Sequence, residues 1–171
     1  IISGQGELHL NIIINRLKEK YGVEVNIVQP RIPFRETIKG KIESVEYKHK
    51  KQSGGHGQFG HVFLRLAPQK RGTGFEFANE VVGGAIPTKF IPAVEKGVVE
   101  ALVKGPLAHY PVVDVKVTVH YGSYHDVDSS EMAFKIAGAQ AFKKGFLDAR
   151  PVLLEPIYEI EVTVPEAHMG D

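Results

Sequence analysis

The 171-residue sequence contains no cysteine. Disulfide bridges, thiolate zinc sites and cysteine nucleophiles are therefore excluded, and the composition fits a reducing compartment. No apolar run approaches the roughly 18–20 residues that are needed to span a bilayer, and no leader of charged and then apolar residues is present. We therefore expect a cytoplasmic protein with no membrane partner.

The chain also lacks an excess of either charge, since 21 lysines and arginines stand against 20 aspartates and glutamates. Any binding of nucleic acid must come from a local patch, because the molecule as a whole has almost no net charge. A hydrophobic fraction of 43% is enough for one ordinary core. The sequence begins with isoleucine and ends without a terminal signature, so we expect a fragment or a processed piece.

The first thirty residues read as a helix followed by a strand. Apolar residues recur at helical spacing over 6–21, and Gly22 can end this helix in the left-handed conformation. Residues 23–28 alternate between apolar and polar, which predicts a half-buried strand. Two prolines within 29–33 resist both helix and sheet, so we place a domain boundary there.

Beyond this linker the sequence alternates between strand and helix patterns. The strand over 112–121 is the clearest, because its valines alternate with polar residues and one face must be covered by helices. We therefore expect an α/β (α+β) fold. The predicted elements are an irregular strand over 35–50, an antiparallel pair within 61–82 around a turn at 71–74, a helix from Pro87 to Gly105, a helix that Asp128 caps, a strand from 151 and an alternating strand over 157–164.

The glycine-rich stretch at 52–61 is not a Walker loop, because the required lysine and hydroxyl residue do not follow its glycines. Residues 39–71 carry eight lysines and arginines against two glutamates, a local excess of six positive charges. A flexible loop in a basic region, with polar donors and Phe59, suits phosphate and base contacts to RNA. A plain solvated loop is the alternative.

The stretch GSYHDVDSSE at 122–131 places His125 between acidic residues. Ligands for a metal should converge from rigid elements, and neighbouring loop residues such as His125 and Asp126 rarely do so. The nearby serines carry no G-x-S-x-G motif of a hydrolase. From the residues alone, three interpretations of His125 stay open: a surface loop, a contact residue, or a catalytic or metal-binding group.

Nine stretches, in order along the whole chain, resemble elongation factor G, the bacterial-type translocase GTPase of the ribosome. They are GQGELHL at 4–10, PFRETI at 33–38, QSGGHGQFGHV at 52–62, FEFANEVVGGAIP at 75–87, IPAVEKGV at 91–98, YPVVDVKVTV at 110–119, GSYHDVDSSEMAFKIAG at 122–138, PVLLEPI at 151–157 and VPEAHMGD at 164–171.

The resemblance implies pieces of three domains. Residues 1–29 would end the ferredoxin-like domain III, 30–153 would form domain IV, and 154–171 would begin a partial ferredoxin-like domain V. Domain IV would be a ribosomal-protein-like β/α fold with a left-handed βαβ crossover, an exception to the usual hand. The GTPase domain is absent from this segment, so we expect no enzymatic activity and no cofactor here, with GTP and Mg²⁺ bound by that missing domain.

The resemblance also implies a function in translocation of transfer RNA and messenger RNA. A monomer would insert its tip loops into the decoding site of the small ribosomal subunit, contact the anticodon arm and the messenger, and block back-slippage. The alternatives are a paralogue in ribosome recycling or back-translocation and a free-standing RNA-binding domain. No catalytic or metal residue is expected. The implied contact residues are Ser53, Gly54, Gly55, His56, Gly57, Gln58, Tyr124, His125, Asp126 and Val127, with Lys48, Lys50 and Lys51 as a supporting basic patch.

Overall fold

A computed structural model describes residues 2, 4–26, 28, 32–52, 57–159 and 161. The chain divides into two compact units, Ile1–Arg31 and Ile32–Asp171. No helix within the described ranges is long and apolar enough to cross a membrane.

The first unit contains one helix, α1 (Glu7–Tyr21), which confirms the helical pattern. Gly22 ends it with a φ of 64° and donates its N–H to the carbonyl of Lys18 at 2.9 Å, as a left-handed cap does. The predicted strand at 23–28 is wrong for residues 23–26, which form no strand. A strand needs a hydrogen-bonded neighbour, and the described residues of this unit contain no strand that could serve as one.

The second unit is a mixed α/β fold, which confirms the expected class. The elements are β1 (Arg35–Ile38), β2 (Ile42–Lys51), β3 (Gln58–Pro68), β4 (Phe75–Asn79), α2 (Ile91–Val103), β5 (Val115–Ser123), α3 (Glu131–Asp148) and β6 (Pro151–Leu154). A single turn of 3₁₀-helix at Thr88–Phe90 precedes α2. A four-stranded sheet has the order β2-β3-β5-β4, and β1 pairs with β6 in a separate antiparallel ribbon.

Two strand predictions need correction. The irregular strand expected over 35–50 is two strands, β1 and β2, which belong to different sheets. The antiparallel pair expected within 61–82 does not form, because β5 lies between β3 and β4, antiparallel to one and parallel to the other. Val115, Val117 and Val119 of β5 are fully buried, so this strand takes a central position and leaves β4 at the edge.

The core lies between the sheet and the two long helices of this unit. The predicted apolar stripe of α2 is buried, and three phenylalanines of α3 are fully enclosed. The two helices pack in backbone contact at Gly97 and Gly138, since a Cβ on Gly138 would lie 2.7 Å from the Val94 carbonyl oxygen. Gly145 brings α3 equally close to the sheet at Val45 and Leu66. One face of the sheet is therefore covered by helix, as the valine pattern of β5 required.

The beginning of α3 and the end of the chain also differ from expectation. Ser130, and not Asp128, is the N-cap of α3, because its Oγ accepts the N–H of Ala133 at 3.2 Å. The strand from 151 is confirmed as β6. Residues 157–159 of the strand predicted at 157–164 form no strand, and most of the remainder lies outside the described residues.

Two buried carboxylates hold the end of the sheet where β5 begins, which we call the base. Glu36, which is fully buried, accepts the backbone N–H groups of Leu107 at 3.0 Å, Ala108 at 2.7 Å and Tyr110 at 3.0 Å. Asp114 accepts the N–H of Gly74 at 3.0 Å. Both side chains therefore tie distant loops to the strands.

Candidate nucleic-acid interface

The loop between β2 and β3 and the loop after β5 meet at the other end of the sheet, which we call the tip (52, 57–58 and 124–130 among described residues). They meet because β5 runs antiparallel to β3, with Ser123 opposite His61 and Gly122 opposite Val62. Six of the ten predicted contact residues, at 57–58 and 124–127, are therefore neighbours in space. The other four, Ser53, Gly54, Gly55 and His56, lie outside the described residues.

Asp128 joins the two tip loops. Its Oδ1 accepts the backbone N–H of Gly57 at 3.0 Å, and its carbonyl oxygen accepts the N–H of Phe59 at 2.8 Å. The interpretation of Asp128 as a helix cap is wrong, because Ser130 fills that role and leaves the carboxylate for the other loop. A Cβ at position 57 would lie 2.8 Å from the carboxyl carbon of Asp128, so a larger residue there would displace this side chain. Asp128 therefore fastens Gly57 and Phe59 to the turn after β5.

His125 is the centre of a tight turn and is still largely accessible, with 55% of its side chain exposed. Its backbone N–H donates to the Oγ of Ser129 at 2.9 Å, and its carbonyl accepts the Ser129 N–H at 3.0 Å. Its Nδ1 faces the backbone N–H groups of Val127 at 3.4 Å and Asp128 at 3.3 Å.

The surroundings of Nδ1 select one tautomer of His125. Backbone N–H groups can only donate, so the Nδ1 that faces them must accept and the ring proton lies on Nε2. A protonated Nδ1 could instead pair with Oδ2 of Asp128, but that distance is 3.6 Å, which is too long for a hydrogen bond. The neutral ring therefore carries its N–H donor on Nε2.

The other described contact residues differ in how freely they can reach a partner. Tyr124, Asp126 and Val127 are exposed on the turn. Gln58 is also exposed, but its side-chain oxygen lies 3.0 Å from Nε2 of His49, a buried residue of β2. The side-chain oxygen of Gln58 is therefore occupied within the hairpin, and its amide N–H groups can donate to a partner.

The predicted basic patch is divided between the two faces of the hairpin. Lys48 and Lys50 lie on the face opposite to the helices, directly across from His61 and Phe59. Lys51, one position further, belongs to the other face, because successive side chains of a strand alternate. The Nζ of Lys48 lies 5.4 Å from the ring centroid of Phe59, so this lysine rests over an aromatic face.

Sequence reasoning missed a polar network that joins three neighbouring strands just behind the tip. Nε2 of His61 lies 2.8 Å from Oε1 of Glu46, and its Nδ1 lies 2.7 Å from Oγ of Ser123. The set has the composition of a catalytic triad, but the serine lies on an open strand surface. These three side chains line neither the cavity at the base nor the cavity between α2 and α3. We interpret this polar network as structural, because it connects β2, β3 and β5 behind the tip. Only the strand register brings these three residues together, so no local motif could have revealed them.

The described parts of the chain contain no group of three or more histidine, aspartate or glutamate side chains that could hold a metal ion. What the tip offers is a set of hydrogen-bonding groups on a rigid support. His125 has a donor and Asp126 has acceptors, and lysines lie on the adjoining strand. This arrangement can bind a polar polymer and exclude other molecules from the space it fills.

Comparison with known proteins gives the same family for both units. Residues 30–150 match the family model described as elongation factor G, domain IV, and residues 1–29 match that of Elongation Factor G, domain III. A crystal structure of a protein from Thermus thermophilus is similar, with a TM-score of 0.78 and 49% sequence identity over 88% of this chain. This chain spans 22% of the length of that protein. Because one family model covers most of its length, the chain belongs to the elongation factor G family.

Proposed function

We propose that this segment is the part of a translation elongation factor that enters the decoding site of the small ribosomal subunit. There its tip would contact the anticodon arm of transfer RNA and the messenger RNA, and would block their return after translocation. The observation that carries the proposal is the Asp128 link at the tip, which fastens Gly57 of one loop to the other loop. A steric block must keep its shape when RNA presses against it, and a hydrogen bond between the two loops would help the tip to do so.

The chemistry of the tip supports RNA as the partner. The Nε2–H of His125 can donate to a phosphate oxygen or to a 2′-hydroxyl, both of which line the accessible groove of an RNA helix. The absence of a side chain at Gly57 permits close approach of the backbone to a groove. Lys48 and Lys50, on the adjoining strand, can neutralise phosphates nearby.

The proposal assigns no covalent chemistry to this segment. GTP hydrolysis, with its Mg²⁺, belongs to the GTPase domain that the resemblance to the family implies elsewhere in the full-length protein. We assign residues 1–29 to domain III, 30–153 to domain IV and 154–171 to domain V of such a protein. We expect it to act as a monomer in the cytoplasm.

The test is His125→Ala in the full-length factor. Movement of transfer RNA and messenger RNA, followed by fluorescence of a labelled messenger, should slow by about tenfold, the effect of one lost hydrogen bond to a charged partner. Ribosome-stimulated GTP hydrolysis should stay near the wild-type rate, because the substituted residue lies far from any phosphate chemistry. His125→Gln, which restores an N–H donor, should recover part of the rate.

Glu95→Ala is the control, since Glu95 is exposed on α2 and lies outside the tip. It should move the RNAs at the wild-type rate. Unchanged movement with His125→Ala, or a loss of GTP hydrolysis in step with the loss of movement, contradicts the proposal. A factor that splits ribosomes but does not move RNA would identify the recycling alternative.

A further inference from the structure

The face of the four-stranded sheet that points away from α3, which we call the open face, carries aromatic rings on its two central strands. Along β3 the side chains of Phe59, His61 and Phe63 alternate with buried residues, so all three belong to the open face. On β5, Tyr121 lies opposite Phe63 and has 53% of its surface exposed. The helices cover the other face, at Gly60 and Gly145.

The rings form two groups along the strand, Phe59 with His125 at the tip and Phe63 with His61 and Tyr121 further from it. The ring centroid of Phe59 lies 6.2 Å from that of His125, and the centroid of Phe63 lies 4.9 Å from His61 and 5.5 Å from Tyr121. From Phe59 to Phe63 the strand rises by about 13 Å, at roughly 3.3 Å per residue. This length extends the tip surface along the sheet.

A β-bulge brings Tyr121 onto this face. The pairing of β3 with β5 shifts between Phe63 and Leu64, so that His120 is the extra residue and lies beside Phe63, with ring centroids 6.2 Å apart. Burial, together with the nearby Arg65, lowers the pKa of His120 below its ordinary value of 6.5. The ring is therefore neutral at neutral pH and adds to the apolar character of the surface.

Charge distinguishes the part of the open face near the tip from the part near the base. Towards the base, Arg65 pairs with Glu80 at 2.8 Å and Glu43 at 3.4 Å, and Lys116 pairs with Glu76, so both cations are paired and the carboxylates outnumber them by three to two. Towards the tip, Lys48 and Lys50 flank the rings, while the carboxylate of Glu46 on the same strand is bound to His61. Cations beside exposed rings are the combination that single-stranded nucleic acid requires.

We propose that the open face from Phe59 to Tyr121 is a second RNA-binding surface, which binds unpaired bases by stacking. Tyr121 and Phe63 stack the bases, and Lys48 and Lys50 bind the phosphates of the same strand. A four-stranded sheet with aromatic residues on its central strands is a known platform for two or three stacked bases. The inference takes RNA as the partner from the proposed function, but it adds a surface that the tip contacts do not need.

The test is binding of the 171-residue chain to a fluorescein-labelled, unstructured RNA of about ten nucleotides, a length within the usual range for one such domain. Tyr121→Ala should weaken binding by about 5- to 100-fold, the measured range for one lost stacking contact. Tyr121→Phe, which keeps the ring, should bind like the wild type. Tyr158→Ala is the control for an exposed tyrosine elsewhere, and circular dichroism verifies the fold of every variant.

Three outcomes overturn the inference: no binding by the wild-type chain, equal binding by Tyr121→Ala, or equal binding of an abasic strand of the same length. The last would mean that the lysines act alone. This test can succeed or fail separately from the proposed function. If His125→Ala leaves translocation unchanged, the proposed function fails, but weaker binding of the labelled RNA by Tyr121→Ala would still support the second surface. If the second outcome is accompanied by a defect of Tyr121→Ala in translocation, this face contacts something other than unpaired RNA.

Discussion

The base and the tip of the second unit use the same device for different purposes. At the base, the carboxylate of Glu36 is fully buried and accepts three backbone N–H groups from a segment about seventy residues away. At the tip, the carboxylate of Asp128 accepts one backbone N–H, also from a distant loop, and 32% of its side chain stays exposed. Each carboxylate fastens one loop to another element.

The difference in burial decides what each carboxylate can do. A charge removed from water must have its hydrogen bonds satisfied within the protein, so Glu36 is wholly occupied and serves stability alone. The side chain of Asp128 stays partly in water, so its hydrogen bond from the Gly57 N–H holds the loop without burying it. The groups around Asp128, including the ring of His125, are therefore left accessible to a partner.

The largest effect should follow from Glu36→Gln. The amide oxygen can still accept two N–H groups, but the amide nitrogen then faces the N–H of Leu107 with no acceptor between them. We expect a loss of about 2–3 kcal/mol in the free energy of unfolding, the range for a hydrogen bond to a buried charged group. Urea denaturation followed by circular dichroism measures it.

Glu95→Gln is the control for Glu36, because Glu95 is exposed on α2. Its free energy of unfolding should remain within about 0.5 kcal/mol of the wild type. Equal stability of Glu36→Gln and the wild type would mean that the three short contacts at the base do not stabilise the fold.

A smaller effect is expected at the tip with Asp128→Ala. The loss of one partly exposed bond should lower the free energy of unfolding by about 0.5–1.5 kcal/mol. Local order should change more than global stability, since Gly57 loses its link to the other loop. Amide hydrogen exchange at Gly57, measured by NMR, should accelerate.

Asp126→Ala tests whether the effect at the tip is specific. Asp126 is a neighbouring carboxylate that is exposed, so its removal should leave the exchange of Gly57 unchanged. If both substitutions accelerate exchange equally, the Asp128 link does not hold the tip together.

The smallest effect concerns Asp114 at the base and appears only in acid. Burial raises the pKa of this carboxyl, but hydrogen bonds from the backbone of Gly74 and Gly72, with Arg71, outweigh burial, so the pKa lies below its ordinary 3.8. A depressed pKa in the folded state contributes stability above the unfolded value, and this contribution is lost as the pH falls through the folded value.

Asp114→Asn should therefore lose less stability than the wild type when the pH is lowered from neutral to below the ordinary pKa. Thermal unfolding at a series of pH values measures the difference. Parallel pH profiles for the two proteins would contradict the interpretation of Asp114 as an ionised anchor for the turn at 72–74.

Much of the second unit could be predicted from the sequence, because its elements are long and strongly periodic. The stripe of α2 and the valines of β5 specify which faces are buried, and both predictions are confirmed. Strand order could not be predicted, since alternation shows that a strand has a buried face but not which strand lies beside it. That is why β5 was not expected between β3 and β4.

The candidate site shows the same division. The sequence by itself determined that a glycine-rich loop precedes one strand and that a turn with His125 follows another. These are local properties of residue type and spacing. The resemblance to a known family implied that both loops belong to one tip. Only the tertiary structure decided that Asp128 links them and that His61 connects Glu46 to Ser123. These contacts depend on strand register, which arises from packing across the whole sheet and not from any one segment.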